Sequence, residues 1–171
     1  MGATEPEAEA QFRAFVAAHG DTLLRLALLI ATDRGRAEDL VQTALMRTFA
    51  RWDRLSGQDP FGYARRIIVN SNVDRWRRDK GREYLTDEVP EPIVSDAAAH
   101  IVQRDALMRA LASLPISERR VIVLRFLADL SEADTATELG LPIGTVKSVT
   151  HRAIRKLRDN AQAADLKETT P

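Results

Sequence analysis

Apolar side chains recur along this chain at helical spacing, and a period-two alternation appears nowhere over a useful length. Phe12, Phe15, Val16, Leu23, Leu26 and Ile30 mark one stripe and predict a first helix over residues 8–31. A second helix starts after Thr32-Asp33, either of which can cap it, with Ala37, Val41, Ala44, Leu45, Thr48 and Trp52 on one stripe. Turn residues make 55–60 (LSGQDP) a loop. A third helix over 60–80 carries Phe61, Ala64, Ile67, Ile68 and Ser71 on its buried side. Periodicity then lapses across 81–98, where Pro90 and Pro92 stand among the acids Asp87, Glu88 and Glu91, as in a linker. Four further helices are expected at 102–113, 115–127, 131–139 and 144–160, with Pro115 as a first helical residue and 161–171 as a frayed polar tail.

The fold class is therefore all-α: two small helical domains joined by a flexible linker, the second containing a helix-turn-helix. The expected boundaries are 1–82, an acidic linker at 83–98, and 99–171.

Composition narrows the chemistry. The absence of cysteine removes disulfides, Cys-based zinc sites and thiol catalysis. His19, His100 and His151 lie far apart, in no metal-binding spacing. His19 falls near the first helix's apolar stripe and reads as a packed or surface histidine, and His100 as a linker residue. There is no nucleophile motif and no Gly-rich phosphate loop, so neither an enzyme nor a cofactor is expected. Residues 1–10 are acidic and Ala-rich, the reverse of a signal peptide. The apolar run 23–31 is broken by Arg25 and falls short of the roughly 20 residues that span a bilayer. A cytoplasmic protein is expected.

The zero net charge conceals a strong pattern. Residues 61–82 hold seven Lys/Arg against two Asp/Glu, a net of +5; residues 83–134 hold five against ten, a net of −5; residues 143–158 hold five and no acid. Two basic islands flank an acidic stretch, and a local positive face is the electrostatic footprint of nucleic-acid binding.

The second island sits in a motif. Ser131-Glu132-Ala133-Asp134 resembles a capping box with Asp in place of Glu, Gly140 can close that short helix in a left-handed conformation, and Thr145 is placed to cap the next. Two helices joined by a short Gly-containing turn make a helix-turn-helix. At about 100° per residue, Val146, Val149, Ala153 and Leu157 share one face of the last helix, while Lys147, His151, Arg155 and Arg158 lie opposite, joined by Ser148 and Arg152. The N-terminal residues of such a helix reach base edges in the major groove, here Thr145, Lys147, Ser148 and His151. Arg152, Arg155, Lys156 and Arg158 are better placed for phosphates. The third helix supplies arginines beside Asn70, Asn72, Tyr63 and Trp76, the mixture of cations, amides and flat rings that suits unpaired bases.

These residues carry a resemblance. LASLPISERRVIVLRFLADLSEADTATELGLPIGTVKSVTHRAIRKLRD, positions 111–159, resembles region 4 of a bacterial sigma-70 family sigma factor. AEDLVQTALMRTFARWDRL, 37–55, resembles region 2.2, and FGYARRIIVNSNVDRWRR, 61–78, resembles regions 2.3 and 2.4. The regions that separate these in larger sigma factors are missing, which points to the extracytoplasmic-function (ECF) class. The resemblance implies that Asp39, Leu40, Gln42, Thr43, Arg47 and Arg51 dock on the β′ clamp helices of core RNA polymerase, with the β flap a further contact. It implies that the 55–60 loop and third helix open the −10 element, through Phe61, Arg65, Arg66, Asn70, Asn72, Asp74, Arg75 and Arg78. The helix-turn-helix would read the −35 element, the acidic linker would thread the polymerase channel, and an anti-sigma factor would be a partner. Two departures stand out: Val149, where the family often places a polar or basic side chain, and Asp134-Thr135, where Glu-Ile is common.

A stand-alone helix-turn-helix regulator is the alternative. It would need a receiver or ligand pocket in residues 1–80, where the pattern offers neither. An enzyme with a DNA-binding appendage lacks any nucleophile motif, metal spacing or Gly-rich phosphate loop, and a pure interaction module does not fit the basic islands.

Overall fold

The computed structural model describes residues 5–55, 57–79 and 98–168, with side chains described over 6–71 (Ser56 apart) and 104–162. These residues form eight α-helices and one π-helical turn, and no strand occurs among them. Two compact units divide the chain, Met1–Thr86 and Asp87–Pro171. Most of the expected linker lies outside the described residues.

In the first unit, α1 (Glu5–Ala31), α2 (Arg34–Phe49) and α4 (Pro60–Asp79) pack pairwise, with the one-turn α3 (Trp52–Leu55) against α1 and α2. Thr32, at φ 57°, turns the chain out of α1. Asp33 then caps α2 by accepting from the Arg36 N–H at 2.7 Å, so of the two candidate caps Asp33 is the one used. Asp59 does the same for α4, accepting from the Gly62 N–H at 2.8 Å with Pro60 as the first helical residue. A Cβ on Gly62 would lie 2.0 Å from the Asp59 carboxylate, so glycine at this position lets the cap close.

Leu23, Ala27, Ile30, Ala37, Ala44, Thr48, Ala64, Ile68 and Val69 are fully enclosed in this unit. The α2 stripe is rotated from the expected one. Leu40 is buried, whereas Val41 and Leu45 are only half-buried. On α4, Val69 is enclosed beside Ile67 and Ile68 because this helix packs against both α1 and α2 and buries more than one stripe. At one end Phe12, Phe15, His19, Phe49, Trp52 and Phe61 form a chain of rings with centroids 4.8–5.9 Å apart. By length and composition alone α1 is apolar enough to cross a membrane, but Phe15, Leu23, Leu26, Ala27, Leu28, Ile30 and Ala31 are buried in the bundle.

The second unit contains α5 (Ala98–Ala112), α6 (Ile116–Ile122), the π-helical turn Val123–Leu127, α7 (Glu132–Leu139) and α8 (Ile143–Glu168). Its core is Leu111, Leu114, Val121, Val123, Leu124, Val146 and Ala153. Four boundaries differ from expectation. Helix α5 begins inside the expected linker. Pro115 is the cap of α6 and not its first residue, with its carbonyl accepting from Glu118 and Arg119 N–H groups at 2.9 Å. The helix expected to run to Leu127 changes to π geometry at Val123, where the Ala128 N–H reaches back to the Val123 carbonyl at 2.9 Å. Finally, α8 continues through the expected tail to Glu168, because Ala161, Ala163 and Ala164 are strong helix formers.

Candidate nucleic-acid and polymerase interface

The helix-turn-helix is assembled by local chemistry. The Ser131 hydroxyl accepts from the Asp134 N–H at 3.0 Å and donates to the Asp134 carboxylate at 2.5 Å, so the shorter aspartate holds the capping hydroxyl rather than the backbone N–H that a capping-box glutamate reaches. Gly140 ends α7 at φ 63°, ψ 37°, the left-handed conformation that glycine adopts without strain. The Pro142 carbonyl accepts from the Thr145 and Val146 N–H groups at 2.9 and 3.2 Å. Thr145 is therefore inside the first turn of α8 and does not cap it, a correction of one turn.

The two faces of α8 separate. Val146, Val149 and Ala153 are buried with Thr150, and Leu157 is half-buried. Val149 thus belongs to the core, which accounts for an apolar side chain there. Lys147, Ser148, His151, Arg152, Arg155 and Arg158 are exposed, and Thr145 is half-buried. Two cations are drawn inward, however. Lys156 Nζ meets both oxygens of Glu118 at 2.9 and 3.0 Å, and Arg152 Nε lies 3.5 Å from the same carboxylate. Lys156, expected at phosphate, is held in this structure by a tertiary ion pair. Lys147 lies 3.6 Å from Glu132 at the start of α7.

Arg119 was not singled out from sequence. It is 9% exposed and closes the end of α5, donating to the carbonyls of Leu111 (2.7 Å), Ala112 (3.2 Å) and Leu114 (2.9 Å). Burial pushes its pKa down to about 10, which leaves it cationic at neutral pH.

In the first unit, Asp39, Gln42 and Thr43 fall on the face of α2 opposite the buried Ala37, Leu40, Ala44 and Thr48. Leu40, expected at the same partner, is instead placed in the core by the structure, 7% exposed. The outward face also carries Met46 and Phe49, 65% and 48% exposed. Sequence reasoning missed both; the signal was the i+4 and i+7 spacing of Met46 and Phe49 from Gln42. Arg47 is exposed toward the side of this face. Arg51 lies beyond the helix, with its guanidinium 5.6 Å from the Tyr63 ring centroid.

On α4, Phe61 is half-buried, 5.2 Å from the His19 ring, and the Arg65 guanidinium sits 5.6 Å from its centroid. Arg66 is exposed and Asn70 half-buried. The side chains of Asn72, Asp74, Arg75, Trp76 and Arg78 lie outside the described residues.

Two family models match: sigma-70 region 2 over residues 15–82 and sigma-70 region 4 over residues 104–157. The chain belongs to the sigma-70 family. It is similar to the RNA polymerase sigma-E factor of Streptomyces avermitilis, 38% identical over 91% of this chain and 88% of that protein. It is also similar to the ECF RNA polymerase sigma factor SigL of Mycobacterium tuberculosis (strain H37Rv), 32% identical over 92% of each. Among solved structures, the sigma factor RpoE of Bartonella quintana, in complex with the anti-sigma factor NepR, shares the fold. Its TM-score is 0.71 at 23% identity, covering 88% of this chain and 96% of that one. CnrH, in complex with the cytosolic domain of CnrY, matches with TM-score 0.61 at 25% identity, covering 89% and 88%.

This sigma factor is of the ECF class and is a transcription initiation factor, directing core RNA polymerase to promoters through −35 and −10 elements. The stand-alone regulator falls because the first unit is sigma region 2. Sigma factors are initiation factors rather than enzymes, and they act on cytoplasmic polymerase.

Proposed function

We propose a division of labour among the sigma factor's surfaces. Residues 1–82 form the polymerase-binding and −10 domain, 83–98 the connector, and 99–171 the −35 domain, and the factor works in the cytoplasm without enzymatic activity of its own. The outward face of α8 reads the −35 duplex. Thr145, Lys147, Ser148 and His151 address base edges, and Arg152, Arg155 and Arg158 address phosphates. The 55–60 loop and α4 open the −10 element, with the Arg65–Phe61 stack and Arg66 beside Asn70, continuing through Asn72, Asp74, Arg75 and Arg78. Asp39, Gln42 and Thr43 dock on the β′ clamp helices together with Met46 and Phe49, and Arg47 and Arg51 flank them. The exposed Phe126 and Leu127 give the second unit an apolar patch for the β flap. An anti-sigma factor is proposed as a further partner, in keeping with the capture of CnrH by CnrY.

The observation that carries this reading is the separation of α8 into a buried apolar face and an exposed basic one within a capped helix-turn-helix. Arg155→Ala in the holoenzyme should weaken promoter binding across sequences and flatten the plot of log affinity against log salt by about 0.9, one phosphate's worth. An unchanged slope removes Arg155 from the phosphate contacts.

A further inference from the structure

Lys147, Arg152, Arg155, Lys156 and Arg158 on α8 are not equivalent. At about 100° per residue Lys156 falls only about 20° from Val149, on the inward edge of the helix, with Arg152 next to it. Arg155 and Arg158 point the other way and have no ion pair among the described residues. Glu118, on α6, explains the difference. Its side chain is 8% exposed, both its oxygens hold Lys156, and Arg152 stands within 3.5 Å. A carboxylate so enclosed is poorly screened by salt, and it keeps its cation against a solvated phosphate because losing it would leave a buried charge uncompensated. The Glu132–Lys147 pair is the contrast: at 3.6 Å, with side chains 35% and 56% exposed, it can exchange its carboxylate for DNA cheaply.

We propose that Glu118 is a positioning residue for promoter binding, which withdraws Lys156 from DNA, orients Arg152 along α8, and so sets how many phosphates the −35 helix neutralises. Each phosphate contact raises affinity for every DNA sequence alike, and only base contacts discriminate. An internal carboxylate that occupies one cation therefore lowers sequence-independent binding and leaves base readout untouched. Glu118 acts as an internal stand-in for a phosphate. The proposal rests on the reading of α8 as the −35 helix.

The test is the salt dependence of holoenzyme binding to a duplex selected from a random promoter library. Core polymerase is constant, and the variants are Lys156→Met, Glu118→Gln, their double mutant and Arg155→Ala. Lys156→Met should leave the slope of log affinity against log salt unchanged, because Lys156 is already neutralised. Glu118→Gln should steepen it by about 0.9 through the released lysine, and the double mutant should return to the wild-type slope. Affinity for the selected duplex and for random-sequence duplex should rise by the same factor in Glu118→Gln, leaving their ratio unchanged. A purely structural carboxylate would change the unfolding midpoint and not the slope. If Lys156→Met flattens the slope as Arg155→Ala does, Lys156 touches phosphate and the proposal is overturned; this arm decides even if Glu118→Gln folds poorly. If no variant, Arg155→Ala included, moves the slope, the −35 reading of α8 fails rather than the role of Glu118.

Discussion

At the scale of single residues, what was readable in the sequence was what is decided within four positions. Asp33, Ser131 and Gly140 were legible because a cap or a helix stop needs only its neighbours. Thr145 was misplaced by a turn because Pro142 offers the first carbonyl instead, and residue type alone does not say which of two nearby candidates starts the helix. The ion pair of Lys156 and the role of Arg119 were not legible for another reason. Their partners come from tertiary packing, Glu118 lying 38 positions from Lys156, and an Arg or Lys reads as surface until its neighbours are known. Arg119 yields a direct test. Its guanidinium satisfies three carbonyls at the end of α5, so Arg119→Met should destabilise the second unit by about 3 kcal/mol, since hydrogen bonds to charged groups are strong and the acceptors would be stranded. Denaturant unfolding measures this; a change under about 0.5 kcal/mol, typical of a surface site, would mean the carbonyls find other partners.

At the scale of elements, helix type and order followed from periodicity, while faces and ends did not always. The stripe drawn on α2 missed Leu40 and overrated Val41 and Leu45, because the angle at which α1 and α4 approach selects among adjacent apolar positions. The π turn at Val123–Leu127 left no sequence signal, and it contains the exposed Phe126 and Leu127. The outward face of α2 became fuller in the structure, joining Met46 and Phe49 to Asp39, Gln42 and Thr43. Met46→Asp should lower affinity for core polymerase at least about tenfold, the loss expected when a charge enters an apolar contact. The thermal midpoint of the free protein should stay unchanged, because Met46 is 65% exposed. Equal affinity would place the docking face elsewhere. On α4, Asn70→Ala should reduce promoter opening, read from the reactivity of unpaired thymines, more than it reduces polymerase binding. Loss of both in the same proportion would point to damage to the bundle.

At the scale of the molecule, zero net charge proved uninformative and its distribution decisive. The basic α8 carries the −35 assignment and the basic α4 the −10 assignment, and the acids between them cancel the sum, with Glu118 and Glu132 pairing directly with cations of α8. The order of regions 2 and 4 makes the chain a sigma factor, whereas the burial of Val149 and Leu40 and the capture of Lys156 decide which residues remain available to partners. The central claim is that one chain grips two promoter elements while bound to polymerase. In vitro transcription with core polymerase over a random promoter library tests it most directly. The account predicts that active templates share two short sequence blocks at a fixed spacing and that transcription needs both this protein and core enzyme. A single enriched block, or tight promoter binding that ignores core polymerase, would contradict it.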